Sequence, residues 1–393
     1  MLVKLQTMSA VYLHIPFCVK RCDYCDFITY AGQGEFLDEY HQALIKEIQF
    51  YGGKSSRANS IYFGGGTPSL LSPGQVDALL RAIDHSIGIE AKAEITLEAN
   101  PGTVDYQELK AFKRSGINRL SLGVQSFIDR DLRSLGRIHN TDQAISAIIQ
   151  SRDAGFDNIS LDLIFGLANQ SLADWESNLE VAAEMGVEHL SLYSLIVEPG
   201  TPLAKRVENG EVILPDDDLA ADMYELTMDK LPQLGFFQYE ISSWAKSEAL
   251  ESRHNKVYWM NQDYIGIGAG AHGKYGDRRA RNVSTIPAYI RLSRSQTSQE
   301  EELSWAVEEV LPISEKEAMQ ETMMLGLRMT REGVSAAEFL QTYGQAMESV
   351  FDQEITKLIK LGLVEWTGTG LSRRLILTRR GIMLGNLVFQ EFV

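Results

Sequence analysis

Hydrophobic and polar positions repeat in the middle of the chain. The stretches "GINRLSL" (116–122), "GFDNISL" (155–161) and "GVEHLSL" (186–192) each run glycine, apolar, two polar residues, apolar, serine, leucine. A glycine suits the left-handed position that ends a helix, and the apolar residues after it begin a buried strand. Three further runs, "AVYLHI" (10–15), "SIYF" (60–63) and "EITLEA" (94–99), also read as strands. Between these runs, Ser72-Pro73 opens a helix with Val76, Leu79, Leu80 and Ile83 on one face, and Ser171 opens another with Trp175, Leu179 and Ala182. Such apolar stripes are core, not cofactor contacts. Strands alternating with helices over about 200 residues predict a parallel α/β sheet. The residues that follow each strand then carry the functional question.

After about residue 300 the pattern changes. "SQTSQEEELS" (295–304) reads as a polar, acidic linker or exposed helix start. Beyond it, "EKEAMQETMMLGLRM", "SAAEFLQTYG" and "MESVFDQEITKLIKLGLVEW" are amphipathic helices, and "RRLILTRRG" is a strand leading into a last helix. This predicts a small α+β domain resembling a winged helix.

Composition sets the class. A chain of 393 residues fits one barrel-sized domain and a smaller one. With 44% hydrophobic residues and no low-complexity tract it is a soluble globular protein. A net charge of −16 argues against nucleic acid, because phosphate-tracking surfaces depend on clustered Lys and Arg. There is no run of roughly 18 apolar residues and no basic-then-apolar leader. A cytoplasmic chain is expected, with peripheral membrane contact left open.

All 3 cysteines, Cys18, Cys22 and Cys25, fall in "YLHIPFCVKRCDYCDF" (12–27). In a reducing cytosol such clustering points to metal or redox chemistry and not to disulfides. A structural zinc site needs a fourth ligand, for which His14 is the only near candidate. A cubane iron-sulfur cluster on three thiolates instead leaves one iron open to an external ligand.

The spacing C-x-x-x-C-x-x-C, with Tyr24 before the last Cys, resembles the signature of the radical S-adenosylmethionine (SAM) superfamily. The resemblance implies a partial (β/α)6 TIM-like barrel over residues 1–240, a connecting segment over 241–300 and the helical domain over 301–393. It implies that SAM chelates the open iron of a 4Fe-4S cluster held by Cys18, Cys22 and Cys25. "YFGGGTPS", "LEANPGT", "LGVQSF", "LGRIH" and "DLIFGL" narrow the resemblance to the branch of oxygen-independent coproporphyrinogen III dehydrogenases and HemW-type haem chaperones. It carries SAM contacts onto Tyr12, Tyr24, Gly65, Gly66, Thr67, Glu98, Gln125, Arg137 and Asp162. No residue is carried over as catalytic, and a second SAM stays an open question.

Residues alone give part of this. Glycines at 64–66 let backbone approach a ligand. Asp162, in the apolar "ISLDLIFG", requires a partner or ligand, and Arg137 is a cation for a carboxylate. The dehydrogenases carry a further Cys two residues after the third, where this chain has Phe27, and a longer segment before the cluster than the 17 residues here. Both departures favour the chaperones, as does "RHNKVYW" (253–259), similar to their H-N-x-x-Y-W segment. His and Tyr are both known axial ligands of haem iron, which makes His254 and Tyr258 the haem candidates. The resemblance then implies a protein that binds the cluster, SAM and haem and delivers haem to a membrane respiratory protein, alone or as a homodimer. The alternative is radical oxidative decarboxylation of porphyrinogen propionates. "GIGAGAHG" (266–273) satisfies G-x-G-x-x-G, yet polar "KYGDRRARN" follows it where a nucleotide fold needs a helix, so tight backbone packing is expected there. His85 and His189 are read as structural.

Overall fold

A computed structural model describes residues 9–295 and 302–393; residues 296–301 of the acidic stretch lie outside the described residues. The chain forms two compact units, residues 1–223 with 263–311, and residues 224–262 with 312–393.

In the first unit the strands are β1 (Ala10–Ile15), β2 (Ala58–Gly65), β3 (Ile89–Ala99), β4 (Arg119–Gln125), β5 (Ile159–Phe165) and β6 (His189–Ser194). They pair in chain order, all parallel, and β7 (Ile265–Ile267) adds to β1, also parallel. The helices between them are α1 (Leu37–Phe50), α2 (Pro73–Ser86), α3 (Tyr106–Ser115), α4 (Thr141–Asp153) and α5 (Leu172–Glu184). Helix starts follow the sequence signals. Ser72 caps α2 through a capping box with Gln75 and Pro73 in the first turn, and Ser171 caps α5 with Asp174. The three glycines of the repeat, Gly116, Gly155 and Gly186, have φ of 111°, 94° and 72°, a region open to glycine at little cost. The strand begins about three residues after each of them.

Register sorts the side chains of this sheet into two faces. Leu13, Phe63, Leu97, Leu120 and Ile159 pair in sequence across five strands and are completely buried. Trp175 of α5 packs on Phe165 of that face with ring centroids 5.4 Å apart. The opposite face is polar: Tyr12 pairs with Tyr62, Tyr62 with Thr96, and Thr96 with Arg119. One row further, Glu98 pairs with Ser121, Ser121 with Ser160, and Ser160 with His189. A parallel sheet usually buries apolar residues on both faces. A sheet with one polar face is built to line a site.

The second unit joins the hairpin of Phe237–Glu240 and Ser243–Ala245 and helix α6 (Arg253–Trp259) to the C-terminal segment. There a three-stranded antiparallel sheet of Val334–Ser335, Val364–Thr367 and Arg374–Leu377 packs with helices, the longest Glu315–Gly326 and Asp352–Lys360, around Met323, Leu327, Phe351, Leu358 and Leu375. No helix among the described residues is long and apolar enough to cross a membrane.

Candidate cofactor site

The three thiols lie on the loop that follows β1. Each is free of a disulfide and half-buried. A turn brings them together, Cys25 N–H donating to the Cys22 carbonyl at 3.3 Å. Thr67 Oγ1 lies 3.8 Å from Cys18 Sγ, Thr29 Oγ1 lies 4.0 Å from Cys25 Sγ, and Arg137 Nη1 donates to Cys22 Sγ at 3.3 Å. Each sulfur therefore has its own polar neighbour. Burial pushes the Cys18 thiol pKa up, partly offset by Thr67.

His14 does not supply a fourth ligand. Its Nδ1 is 3.0 Å from Tyr12 Oη and its Nε2 2.8 Å from the Ile28 carbonyl, so both nitrogens are engaged. Burial lowers its pKa and favours the neutral ring. Among the described residues no group of three or more His, Cys, Asp or Glu side chains is arranged around a single metal ion. Three thiolates that each bind a different iron of a cubane need not converge on one point, and the donor set fits such a cluster.

The glycines after β2 are packed, not loose. Gly66 donates to the Ile15 carbonyl at 2.9 Å and Thr67 to that of Phe17 at 2.8 Å, which ties this segment to the cysteine loop. A Cβ at Gly66 would come within 2.6 Å of Phe17 O and 3.0 Å of Cys18 Sγ. Gly65, at φ 111°, leaves its N–H 3.3 Å from Glu98 Oε2, while Tyr62 Oη donates to Glu98 Oε1 at 2.7 Å. Burial pushes the Glu98 pKa up to about 7, the nearby Asp162 adding to it and the Tyr62 bond opposing it. Asp162 is also shifted upward by burial, against hydrogen bonds from Ser191 and Ser121 and the charges of Arg119 and Arg137.

Gln125 has φ 69°, a left-handed conformation uncommon outside glycine, and the pairing of β4 with β5 slips between Leu122 and Gln125. This bulge ends β4. Arg137 Nη2 donates to the Gly123 carbonyl at 2.6 Å within it, and Arg137 Nε has no hydrogen-bond partner among the described residues. Tyr24 packs against the cluster of Leu135, Ile164 and Leu167, with Leu195. The structure thus brings Tyr24, Gly65, Gly66, Thr67, Glu98, Gln125, Arg137 and Asp162 to the middle and C-terminal ends of the strands of one sheet and the loops beyond, while Tyr12 lies on the same face one row deeper, paired with Tyr62.

Sequence reading missed Asp23 and Arg206. Asp23 N–H donates to the Leu135 carbonyl at 3.1 Å, its carbonyl accepts from Leu203 N at 2.9 Å, and Arg206 Nη1 is 3.1 Å from its carboxylate. A Cβ on Gly136, φ 72°, would lie 2.8 Å from Asp23 Oδ1. The cysteine loop is therefore clamped by residues more than a hundred positions away, which no local pattern reveals. The glycines of "GIGAGAHG" pack tightly as expected: a Cβ on Gly268 would meet the His14 carbonyl at 2.6 Å, and a strand, His272–Lys274, follows where a nucleotide site needs a helix.

His254 and Tyr258 belong to the second unit, four residues apart on α6. His254 is 1% exposed, and its Nε2 is 2.8 Å from Tyr258 Oη, the rings meeting edge to face at 5.1 Å. Beside them Lys256 bridges Glu251 at 2.7 Å and Glu332 at 2.6 Å. The pair is brought together, with the His254 ring buried and Tyr258 partly exposed.

Comparison with known proteins agrees with this geometry. The model of the radical SAM superfamily matches residues 12–182, and that of the HemN C-terminal domain matches residues 313–384. Heme chaperone HemW of Bacillus subtilis is 38% identical over 98% of this chain and 99% of its own length. Heme chaperone HemW of Escherichia coli is 42% identical over 70% of this chain and 71% of its own. A mitochondrial relative in Danio rerio, radical S-adenosyl methionine domain-containing protein 1, is 35% identical over 83% of this chain and 74% of its own. Among solved structures, coproporphyrinogen III oxidase (HemN) of Escherichia coli superposes with a TM-score of 0.82 over 100% of this chain and 91% of its own at 22% identity, a likeness of fold. The chain belongs to the radical SAM superfamily and, within it, to the family of the HemW proteins. The expected α/β barrel fold with a smaller C-terminal domain is the fold found, and that fold implies a 4Fe-4S cluster and SAM.

Proposed function

We propose that the chain is a haem chaperone that carries a 4Fe-4S cluster on Cys18, Cys22 and Cys25, binds SAM over the polar face of the sheet, holds haem through the His254–Tyr258 segment, and passes it to a haem protein at the membrane. The observation that carries the reading is the full-length likeness to proteins named heme chaperones. The site supports its first half. Three thiols with no fourth protein ligand among the described residues suit a cluster completed from outside, and SAM supplies an amino and a carboxylate group for that iron. Arg137 places a guanidinium beside Cys22, where it offsets thiolate charge, and Glu98 with Asp162 offers carboxylates to ammonium or hydroxyl donors of the ligand. Gly65 and Gly66 let the ligand approach backbone. Ligation of haem by His254 through Nε2 requires the bond to Tyr258 to open, so haem binding is coupled to a rearrangement of α6.

The experiment is an anaerobic haem titration of cluster-loaded protein, wild type beside His254→Ala, read in the Soret difference spectrum. Saturation near one haem per chain, weakened at least tenfold in the variant with SAM affinity unchanged, is the expected result. Absence of saturable haem binding, together with decarboxylation of coproporphyrinogen, overturns the chaperone in favour of the dehydrogenase.

A further inference from the structure

The serine repeated in the "G-apolar-x-x-apolar-S-L" pattern has so far no role. Register gives it one. Ser121, Ser160 and Ser191 all point to the polar face, and the residues on either side of them point to the apolar one. Ser121 Oγ lies 3.2 and 3.3 Å from the two oxygens of Asp162, Ser191 pairs directly with Asp162 on the neighbouring strand, and Ser160 Oγ is 2.8 Å from His189 Nδ1. Burial is graded across this face. Glu98, Gln125, Arg137 and Asp162 are mostly buried with a part of each exposed, whereas Ser121 and Ser191, level with Glu98 and Asp162, and Ser160 and His189 a row deeper are 3% exposed or less.

Arg119 opens β4 in the deep layer and is 2% exposed. A guanidinium there requires anionic company, since burying a lone charge costs far more than a surface ion pair returns. It makes no ion pair within 4 Å among the described residues, and its Nε has no hydrogen-bond partner among them. The charges on its face are Glu98 on β3 and Asp162 on β5, with Glu94 buried deeper on β3, Tyr62 on β2 and His189 on β6 as the other titratable groups, and Arg137 at the open end. His189 is held neutral by burial and by Arg119, so the cation is not shared with it.

We propose that Arg119, Ser121 and Ser191 are positioning residues that hold Asp162 as an oriented carboxylate facing the ligand, acting from beneath without touching it. This rests on SAM binding at the polar face. The two hydroxyls fix the carboxylate plane from both neighbouring strands, and the guanidinium offsets the cost of its charge in a buried setting. Two of the three repeated serines are then functional: the register position that builds the strand also supplies the support.

The test measures SAM affinity of cluster-loaded protein by equilibrium dialysis from pH 6 to 9, with iron content as control, in wild type, Arg119→Gln, Arg119→Lys and Ser121→Ala/Ser191→Ala. Removing a cation raises the pKa of a facing carboxylate, so the acid limb of binding in Arg119→Gln moves up by about one pH unit, roughly a fivefold loss at the pH where the wild type is half-ionised. Arg119→Lys restores the limb, and the double serine variant moves it in the same direction by less. Wild-type affinity and pH profile in a folded, iron-replete Arg119→Gln overturns the proposal. Should that variant not fold, an unmoved limb in the double serine variant overturns it. A wild type that binds no SAM would instead sink the reading of the site itself.

Discussion

The cysteine loop and the His254–Tyr258 segment are the two chemically suggestive regions of this chain, and they are built in opposite ways. Around the loop, groups from the segments after β2 and β4 and from Leu203 and Arg206 converge, a non-glycine residue at the end of β4 is held at φ 69°, and a buried Arg137 nitrogen has no partner among the described residues. On α6 the candidate imidazole is buried at 1% exposure and engaged by its own neighbour. Strain and unmet polar atoms persist where the surroundings are organised for something else to complete them. A satisfied pair is instead a closed state that a ligand has to open. Under the proposed function the first region is preorganised, and the second has to open for haem.

The comparison can be broken at its strongest point first. Cys22→Ala should abolish iron incorporation while far-UV circular dichroism stays native, because no backbone bond depends on that sulfur; retained iron would remove the cluster assignment. Gly66→Ala should come next, because a Cβ there meets two backbone oxygens that cannot yield, Phe17 O at 2.6 Å and Ile15 O at 3.0 Å. A loss of roughly 2 kcal/mol in chemical denaturation is expected from such overpacking, with cluster retention impaired.

Glu98→Gln should lower SAM affinity about tenfold, in line with losing a charge-assisted hydrogen bond. It should also change the pH dependence of stability in a defined direction. A carboxyl whose folded pKa is about 7 against an ordinary 4.5 favours the folded state below that ordinary value and loses the benefit as pH rises through 7. The ligand-free Gln variant should therefore gain on the wild type above pH 7, by on the order of 1 kcal/mol after the weakened hydrogen bonds to Tyr62 and Gly65 are set against it. Equal unfolding profiles for the two proteins at pH 8 would contradict this. The smallest effect sharpens the other side: Tyr258→Phe frees the imidazole nitrogen from a bond of about 1 kcal/mol, so haem affinity should rise roughly fivefold. A fall would make Tyr258 itself the ligand.

Much of this was legible in the chain. The six strands, the helix caps at Ser72 and Ser171, the left-handed glycines and the three thiols are local features, each set by neighbours a few residues away. The site was legible where a residue type was costly or conformationally special, as with Asp162 in an apolar strand or the glycines after β2. What stayed hidden depends on register or on distant chain. The repeated serine looked like ordinary strand composition until pairing showed which face it takes. Arg119, inside "GINRLSL", read as one of two polar filler residues. Gln125 gave no sign of its left-handed backbone, since that follows from the bulge against β5. The Asp23–Arg206 clamp spans 183 residues and has no signature at either end.

All three thiols lie within one short loop, whereas the groups that hold that loop come from as far along the chain as Arg137, Leu203 and Arg206. During synthesis the sulfurs leave the ribosome many seconds before their protecting partners do. The nascent protein thus passes through an interval in which reactive thiols have no barrel around them, open to oxidation or to capture of the wrong metal. Supply of iron and sulfide, and the absence of oxygen, should matter most in that interval, and late reconstitution of a folded chain is a different starting point from loading during its birth.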